Sequence, residues 1–378
     1  MPETPDLRSR VEEALASIGA DGTTPARDVW KTLGTAGILS TLYKESTRDD
    51  RYGLDPAALR TTLTVLDATL PLASTLSFCV QAATALPLLR DAPPGGPPSD
   101  IARQAEEGRC VLALAATDAD AAGSDLTAMG TRVETDGDTL VLTGGKRWIV
   151  NATTADHALV LARRRPGDHF SNFSLLLVPL TAPGVRADPT DTLWFSGSGV
   201  GSLHFDGVRL PTDHIIGSPS RGLAAFTRRI TTERLASGLW ADALTRRVLA
   251  ATYRMLTERR IADGPQWAHA AVRHDMAAAL LGAQRLQALC DHASAPATDH
   301  LTPTVTTAVL KAAGAETLEQ VLNMCAQLQG ARAFAHTGLH HLRTEAAMFG
   351  IAGGTSHTLR ELIADHADTL LGVRECPS

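Results

Sequence analysis

From Pro5 to about Leu89, apolar residues recur every three or four positions, as in Val29, Leu33 and Ala36 and then Leu59, Leu63, Leu66 and Leu70. That is the period of amphipathic helices. The stretch Asp91-Ala-Pro-Pro-Gly-Gly-Pro-Pro-Ser99 breaks it, because each proline fixes φ and removes a backbone donor. An exposed loop is expected there, followed by a short helix through Arg103 and Gln104. Past Gly108 the period drops to two or to short apolar runs: Val111–Ala115, Thr131–Glu134, Leu140–Thr143, Ala158–Ala162, Ser174–Val178 and Gly201–Phe205. Turn signals at Asp136-Gly137-Asp138, Gly144-Gly145 and Pro183-Gly184 separate them, which predicts a small antiparallel sheet or barrel over about 110–215. After Gly222 the helical period returns, with Leu235, Leu239, Leu244 and Val248 on one segment and Val309, Ala312, Leu318 and Leu322 on another. At 378 residues the chain exceeds what one hydrophobic core supports. It is expected to divide into an N-terminal α-helical domain (1–109), a middle β-domain (110–218) and a C-terminal α-helical bundle (219–378).

Composition narrows the class without changing that layout. With 44% hydrophobic and 20% charged residues, usage is that of an ordinary globular protein. A formal net charge of -6 offers no basic field to a phosphate backbone, so no nucleic-acid partner is expected. Only Lys31, Lys44, Lys146 and Lys311 are lysines among 35 basic residues, a bias of genome composition. The cysteines, Cys79, Cys110, Cys290, Cys325 and Cys376, are odd in number and scattered, which fits a reduced, cytoplasmic setting and gives no metal-ligand spacing. The first residues lack an apolar leader core, and no membrane span is expected.

Three segments carry candidate chemistry. Ala116-Thr117-Asp118-Ala119-Asp120-Ala121-Ala122-Gly123-Ser124-Asp125 is built of small and short polar residues. Its backbone N–H groups could approach an anion, although a wide turn has the same composition. Lys146-Arg-Trp-Ile-Val-Asn151 sets Trp148 at a strand edge, where packing is the plainer reading. Glu233, in Ile230-Thr-Thr-Glu-Arg-Leu-Ala236, is expected near the start of a long helix, where a glutamate also complements the helix dipole. His336, His340 and His341 on a late helix are read as solvated surface, and no metal is expected.

In this order and spacing the segments resemble the acyl-CoA dehydrogenase flavoprotein family over nearly the whole chain. Thr117-Asp118 through Gly123-Ser124-Asp125 is similar to the family's T-E-P-x-x-G-S-D loop, and Gly145-Lys146 with Trp148-Ile149 to its G-x-K-x-W-I strand. Val208-Arg209-Leu210-Pro211 is similar to V-x-V-P, and Arg260 to Gly264 to R-x-x-F-G. Gln327 to Gly330 resembles the start of Q-x-x-G-G-x-G, and Ile351-Ala-Gly-Gly-Thr-Ser356 resembles I-x-E-G-T-S. The resemblance implies an α+β fold: N-terminal helical domain, middle antiparallel β-domain and C-terminal four-helix bundle. It also implies FAD, contacted by Thr117, Ser124, Trp148, Val150, Arg260, Gln327, Gly330 and Thr355, and a homo-oligomer, usually a tetramer.

The chain departs from the family where its commonest catalytic glutamate stands: Gly353 occupies that position and cannot take a proton. Members of the isovaleryl, long-chain and I-A-G-G-T-S types place the base just before an arginine of the long helix, which Glu233 before Arg234 matches. Val150, Asp263, Ala270, Ala331 and Ala333 replace other expected residues and thin out the cofactor contacts. The implied reaction is α,β-dehydrogenation of an acyl thioester of CoA or acyl-carrier protein. Glu233 would act as base, flavin N5 as hydride acceptor, and Ser124, Arg234, Trp240 and Gly353 would face the substrate. Trp240, seven residues after Glu233 and so on the same helix face, would close the acyl pocket. An electron-transfer partner and a place in specialised metabolism follow from the same resemblance. A flavin-dependent monooxygenase and a non-catalytic partner subunit are alternative readings.

Overall fold

The early helical periodicity is realised as α1 (Leu7–Ser17), α2 (Ala26–Thr35), α3 (Ile38–Thr41), α4 (Pro56–Thr69), α5 (Leu72–Val80), α6 (Leu86–Arg90) and α7 (Pro97–Glu106). The computed structural model describes residues 6–19, 21, 23–43, 52–119, 125–295 and 301–373. Contacts group the chain into two compact units. Unit one comprises Met1–Thr47, Tyr52–Ala58 and Thr69–Glu233, and unit two Arg48–Arg51, Leu59–Ala68 and Arg234–Ser378.

In unit one, α5 and α6 are joined without a break by a π-helical turn, Gln81–Ala85, whose residues are all buried. The apolar stretch Leu72–Arg90, with mean hydropathy 1.5, is long enough to cross a membrane by length and composition. Its burial, 89% inside the protein, is that of a core helix. The proline-rich loop is shorter than expected, because Pro97 and Pro98 open α7. A proline in the first helical turn gives up only a donor that has no intrahelical partner there.

The sheet comprises β1 (Leu112–Ala115), β2 (Arg132–Asp136), β3 (Thr139–Ile149), β4 (His157–Arg163), β5 (Phe173–Pro179), β6 (Val185–Pro189) and β7 (Gly201–Pro211). Its order is β1-β4-β2-β3-β7-β6, with β5 also paired to β4. Most pairings are antiparallel as expected, but β1 runs parallel to β4, and β2 meets β4 parallel at Arg132 and Arg163. β4 and β5 are apolar and buried along nearly their whole length, as strands covered on both faces must be. Strand β6 was not foreseen: Val-Arg-Ala-Asp-Pro alternates, but it is only five residues long and ends in proline, which an edge strand tolerates. The core gathers Val133, Leu140, Leu142, Val160, Leu176 and Phe205.

Two irregularities matter for the site. β3 and β7 lose register between Lys146 and Ile149, a bulge that leaves Trp148 at φ 56 and Asn151, just beyond, at φ 65. A bulky residue in the left-handed region is strained and needs surrounding structure to hold it there. The outer edge of β1 is closed by side chains. Gln81 Oε1 accepts from the Leu112 N–H at 3.0 Å, and Asn151 Nδ2 donates to Leu112 O at 2.9 Å. Ser77 Oγ completes the network by donating to Asn151 Oδ1 at 2.6 Å.

Helix α8 (Gly222–Glu258) runs 37 residues unbroken; its residues to Glu233 group with unit one and the rest with unit two. In unit two it is followed by the two-residue strands β8 (Arg260–Ile261) and β9 (Gly264–Pro265), then α9 (Ala270–Ser294), α10 (Pro303–Gln329), α11 (Leu339–Ala346), α12 (Ser356–Ala364) and α13 (Ala367–Leu371). Gly238 lets α8 approach α10, because a Cβ there would lie 2.4 Å from Leu310 Cγ. Leu359 of α12 buries against Ala308 and Ala312.

Candidate functional site

The loop after β1 is pinned from beneath in unit one. Lys146, in β3 and fully buried, donates from Nζ to Ala116 O at 3.1 Å and pairs with Asp118 Oδ2 at 3.3 Å. Asp118 is buried too and accepts the Thr131 N–H at 3.0 Å. Burial pushes the lysine down to about 8, against the pull of the Asp118 carboxylate, which favours the charged form. Thr117, between Ala116 and Asp118, is half-buried and its carbonyl accepts from Arg147 N at 3.2 Å. Thr117 is thereby joined to the bulge that presents Trp148, whose indole is 54% exposed. Val150 follows in a turn, half-buried. Ser124 lies outside the described residues.

Glu233 sits eleven residues inside α8, so the expected place near the helix start is corrected: dipole complementation in the first turn does not account for it. Its carboxylate is half-buried, and Oε2 accepts from Thr84 Oγ1 at 3.0 Å. Thr84 belongs to the π turn and is itself fully buried. The neighbouring Thr232 hydroxyl donates to Ala83 O.

In unit two, Arg234 Nε donates to Gly353 O at 3.0 Å. Lys311, buried in α10, donates to the next carbonyl, Gly354 O, at 2.5 Å. Gly353 and Gly354 have φ of 71 and 102, so two cations fix a loop whose backbone suits glycine. Thr355, expected at the cofactor, caps α12: its hydroxyl oxygen accepts Thr358 N at 3.2 Å. Trp240, only 1% exposed, donates from Nε1 to Asp67 Oδ1 at 3.0 Å and packs edge-on against Phe349. Asp67 is also held by Arg247 Nε at 2.7 Å.

Arg260, Gln327 and Gly330 are exposed. The β8–β9 hairpin carrying Arg260 is tied to the end of α10 by Gln266, whose Nε2 donates to Leu328 O at 3.4 Å. Gln266 Oε1 is buried and has no hydrogen-bond partner among the described residues, an acceptor with a free place for a ligand donor. Within unit two, the Arg260 guanidinium and the Gln266 and Gln327 amides are polar groups of the kind a flavin dinucleotide needs, so the residues present fit FAD.

Sequence reading missed Thr84, Asp118 as the partner of Lys146, Lys311 and Gln266. A signal existed for Lys311, a charge inside the apolar run Val309-Leu310-Lys311-Ala312; nothing local marks Thr84.

Comparison with known proteins agrees with this layout. Residues 113–208 match the acyl-CoA dehydrogenase middle domain, and residues 220–367 match the acyl-CoA dehydrogenase C-terminal domain. The short-chain specific acyl-CoA dehydrogenase of Bos taurus mitochondria is 30% identical over 254 residues, 65% of this chain and 60% of that protein. The acyl-[acyl-carrier-protein] dehydrogenase MbtN of Mycobacterium sp. is 29% identical over 277 residues, 70% of this chain and 68% of that one. The chain spans about three fifths of the length of the first curated relatives it matches. Glutaryl-CoA dehydrogenase from Mycobacterium smegmatis shares the fold, with a TM-score of 0.81 at 22% identity, covering 98% of this chain and 94% of that one. With its sheet domain and its C-terminal helices each matched, the chain belongs to the acyl-CoA dehydrogenase family.

Proposed function

We propose that this chain is an FAD-dependent oxidoreductase that dehydrogenates an acyl thioester between Cα and Cβ, with Glu233 as the base. The observation that carries the reading is the half-buried Glu233 carboxylate, oriented by Thr84 and followed directly by Arg234, in a chain whose Gly353 has no proton-accepting side chain. A base must reach the proton it abstracts and be held there; burial of one oxygen against Thr84 with partial exposure of the group meets both needs. Glu233 takes the Cα proton, and the product is a trans-2-enoyl thioester. When bound, FAD supplies the acceptor for the Cβ hydride. The family resemblance assigns Thr117, Ser124, Trp148, Val150, Arg260, Gln327, Gly330 and Thr355 to hold it. Arg234 fixes the Gly353 carbonyl.

Relatives acting on CoA and on acyl-carrier-protein thioesters support a thioester of one of these two carriers. An electron-transfer partner, a cytoplasmic homo-oligomer and a role in specialised metabolism complete the proposal; exposed Leu280 and Leu281 on α9 support self-association.

The test takes protein as isolated, identifies its bound cofactor by absorbance and mass spectrometry, and offers short, long and branched acyl-CoA and acyl-carrier-protein thioesters with a dye acceptor. Glu233→Gln is expected to lose activity on the order of a thousand-fold while keeping the flavin. Full activity in that variant, with turnover that demands a flavin reductase and O₂, refutes the assignment in favour of a monooxygenase.

A further inference from the structure

We infer that Thr84 is a positioning residue for the Glu233 carboxylate, and that the π turn at Gln81–Ala85 exists in this chain to aim it. This deepens the proposed function and rests on Glu233 being the base. Two consecutive residues of the π turn engage two consecutive residues of α8: Ala83 O accepts from the Thr232 hydroxyl, and Thr84 Oγ1 donates to Glu233 Oε2 at 3.0 Å. An α-helix given one extra residue per turn at a single point rotates the side chains beyond it, and such π bulges concentrate at functional sites.

The turn is also anchored at its other end. Gln81 holds the Leu112 N–H of β1, and Ser77, one turn earlier, holds Asn151. Thr84 therefore stands on a segment fixed to the sheet at its start and to α8 at its end. No charged residue lies in the turn itself, so Thr84 donates a directed hydrogen bond without adding charge. A buried hydroxyl bonded to one carboxylate oxygen restricts the carboxylate to few orientations.

The test compares Thr84→Val, Thr84→Ser and Glu233→Gln, singly and with Thr84→Val added to Glu233→Gln, on whichever thioester of the panel above is turned over fastest. Thr84→Val is nearly isosteric and is expected to lower kcat roughly ten-fold with KM unchanged, the scale of one hydrogen bond to a charged group. Thr84→Ser keeps the donor and is expected to return kcat to within about two-fold of the parent. In the Glu233→Gln background, Thr84→Val is expected to change the residual rate little, because the carboxylate it orients is gone. Circular dichroism and melting curves check each fold, and Thr84→Ala takes the place of Thr84→Val if the latter does not fold. The inference is overturned if Thr84→Val leaves kcat unchanged, if Thr84→Ser is as impaired as Thr84→Val, or if Thr84→Val costs the same factor without the carboxylate. Those results leave the assignment of Glu233 standing; undiminished activity in Glu233→Gln alone is what removes it.

Discussion

Asp118→Asn removes the carboxylate that pairs with the buried Lys146 ammonium, and pH sets how much that costs. In the parent protein Lys146 titrates at about 8, below its ordinary 10.5. At neutral pH the folded state therefore carries a lysine penalty of about 3 kcal/mol, relieved as pH rises from 8 to 10.5, because the unfolded chain then binds more protons than the folded one. Without Asp118 the ammonium loses its attraction and titrates lower still. The penalty cannot grow without limit, since the lysine can shed its proton. At pH 7 a neutral Lys146 costs only the one pH unit between 7 and 8 more than the parent's charged lysine, so the lysine part of the variant's deficit is at most about 1 kcal/mol. That deficit is expected to vanish by about pH 9, where both proteins hold a neutral lysine, and to grow by about 1 kcal/mol for each pH unit below 7 until the variant's own titration is passed. Asparagine can still accept the Thr131 N–H, which keeps the loop geometry. Urea unfolding of parent and variant between pH 5.5 and 9.5, followed by circular dichroism, measures the difference at each pH. A deficit of the same size at pH 6 and pH 9.5 would refute the reasoning, because it would mean that lost packing, and not the lysine charge, sets the cost.

Trp148→Gly relieves a left-handed backbone worth about 1–2 kcal/mol but gives up a half-buried indole, so stability is expected to move by less than about 1 kcal/mol while flavin retention through gel filtration falls; unchanged retention would remove Trp148 from the cofactor site. Trp240→Phe strips Asp67 of one donor, leaves it Arg247, and is expected to cost about 1–3 kcal/mol in urea unfolding. If this indole limits the acyl group, the same variant accepts longer or branched thioesters better than the parent, and an unaltered preference sinks that reading.

The layout of helices, sheet and helices was legible because burial imposes period on sequence: β4 and β5 read as short apolar runs, and α8 and α10 as stripes of leucine, valine and alanine. The family motifs pointed to Trp148, Glu233, Arg260 and Gln327 because their spacing is local. What escaped notice depends on distant partners. Thr84 and Glu233 lie 149 residues apart, and neither sequence neighbourhood tells of the other. The parallel run of β1 beside β4 is a matter of topology that alternation does not encode. Lys146 was seen as a motif letter, yet its burial follows from Asp118 and the Ala116 carbonyl closing over it, which only the folded loop brings together. The proline-rich segment misled in part, because the same prolines that forbid regular structure in mid-element are acceptable donors of the first turn's shape in α7.

The sealed margin of β1 also bears on how this protein keeps company with itself. A strand ending a sheet offers a ladder of unpaired amides to any passing extended chain. Here the Leu112 amide and carbonyl are already claimed by Gln81 and Asn151, so a stray strand must first strip two side chains from buried bonds before it can zip on. Hydrogen exchange at Leu112 should accordingly be among the slowest in the sheet, and loss of Gln81 should be felt first as clumping on storage, ahead of any change in melting.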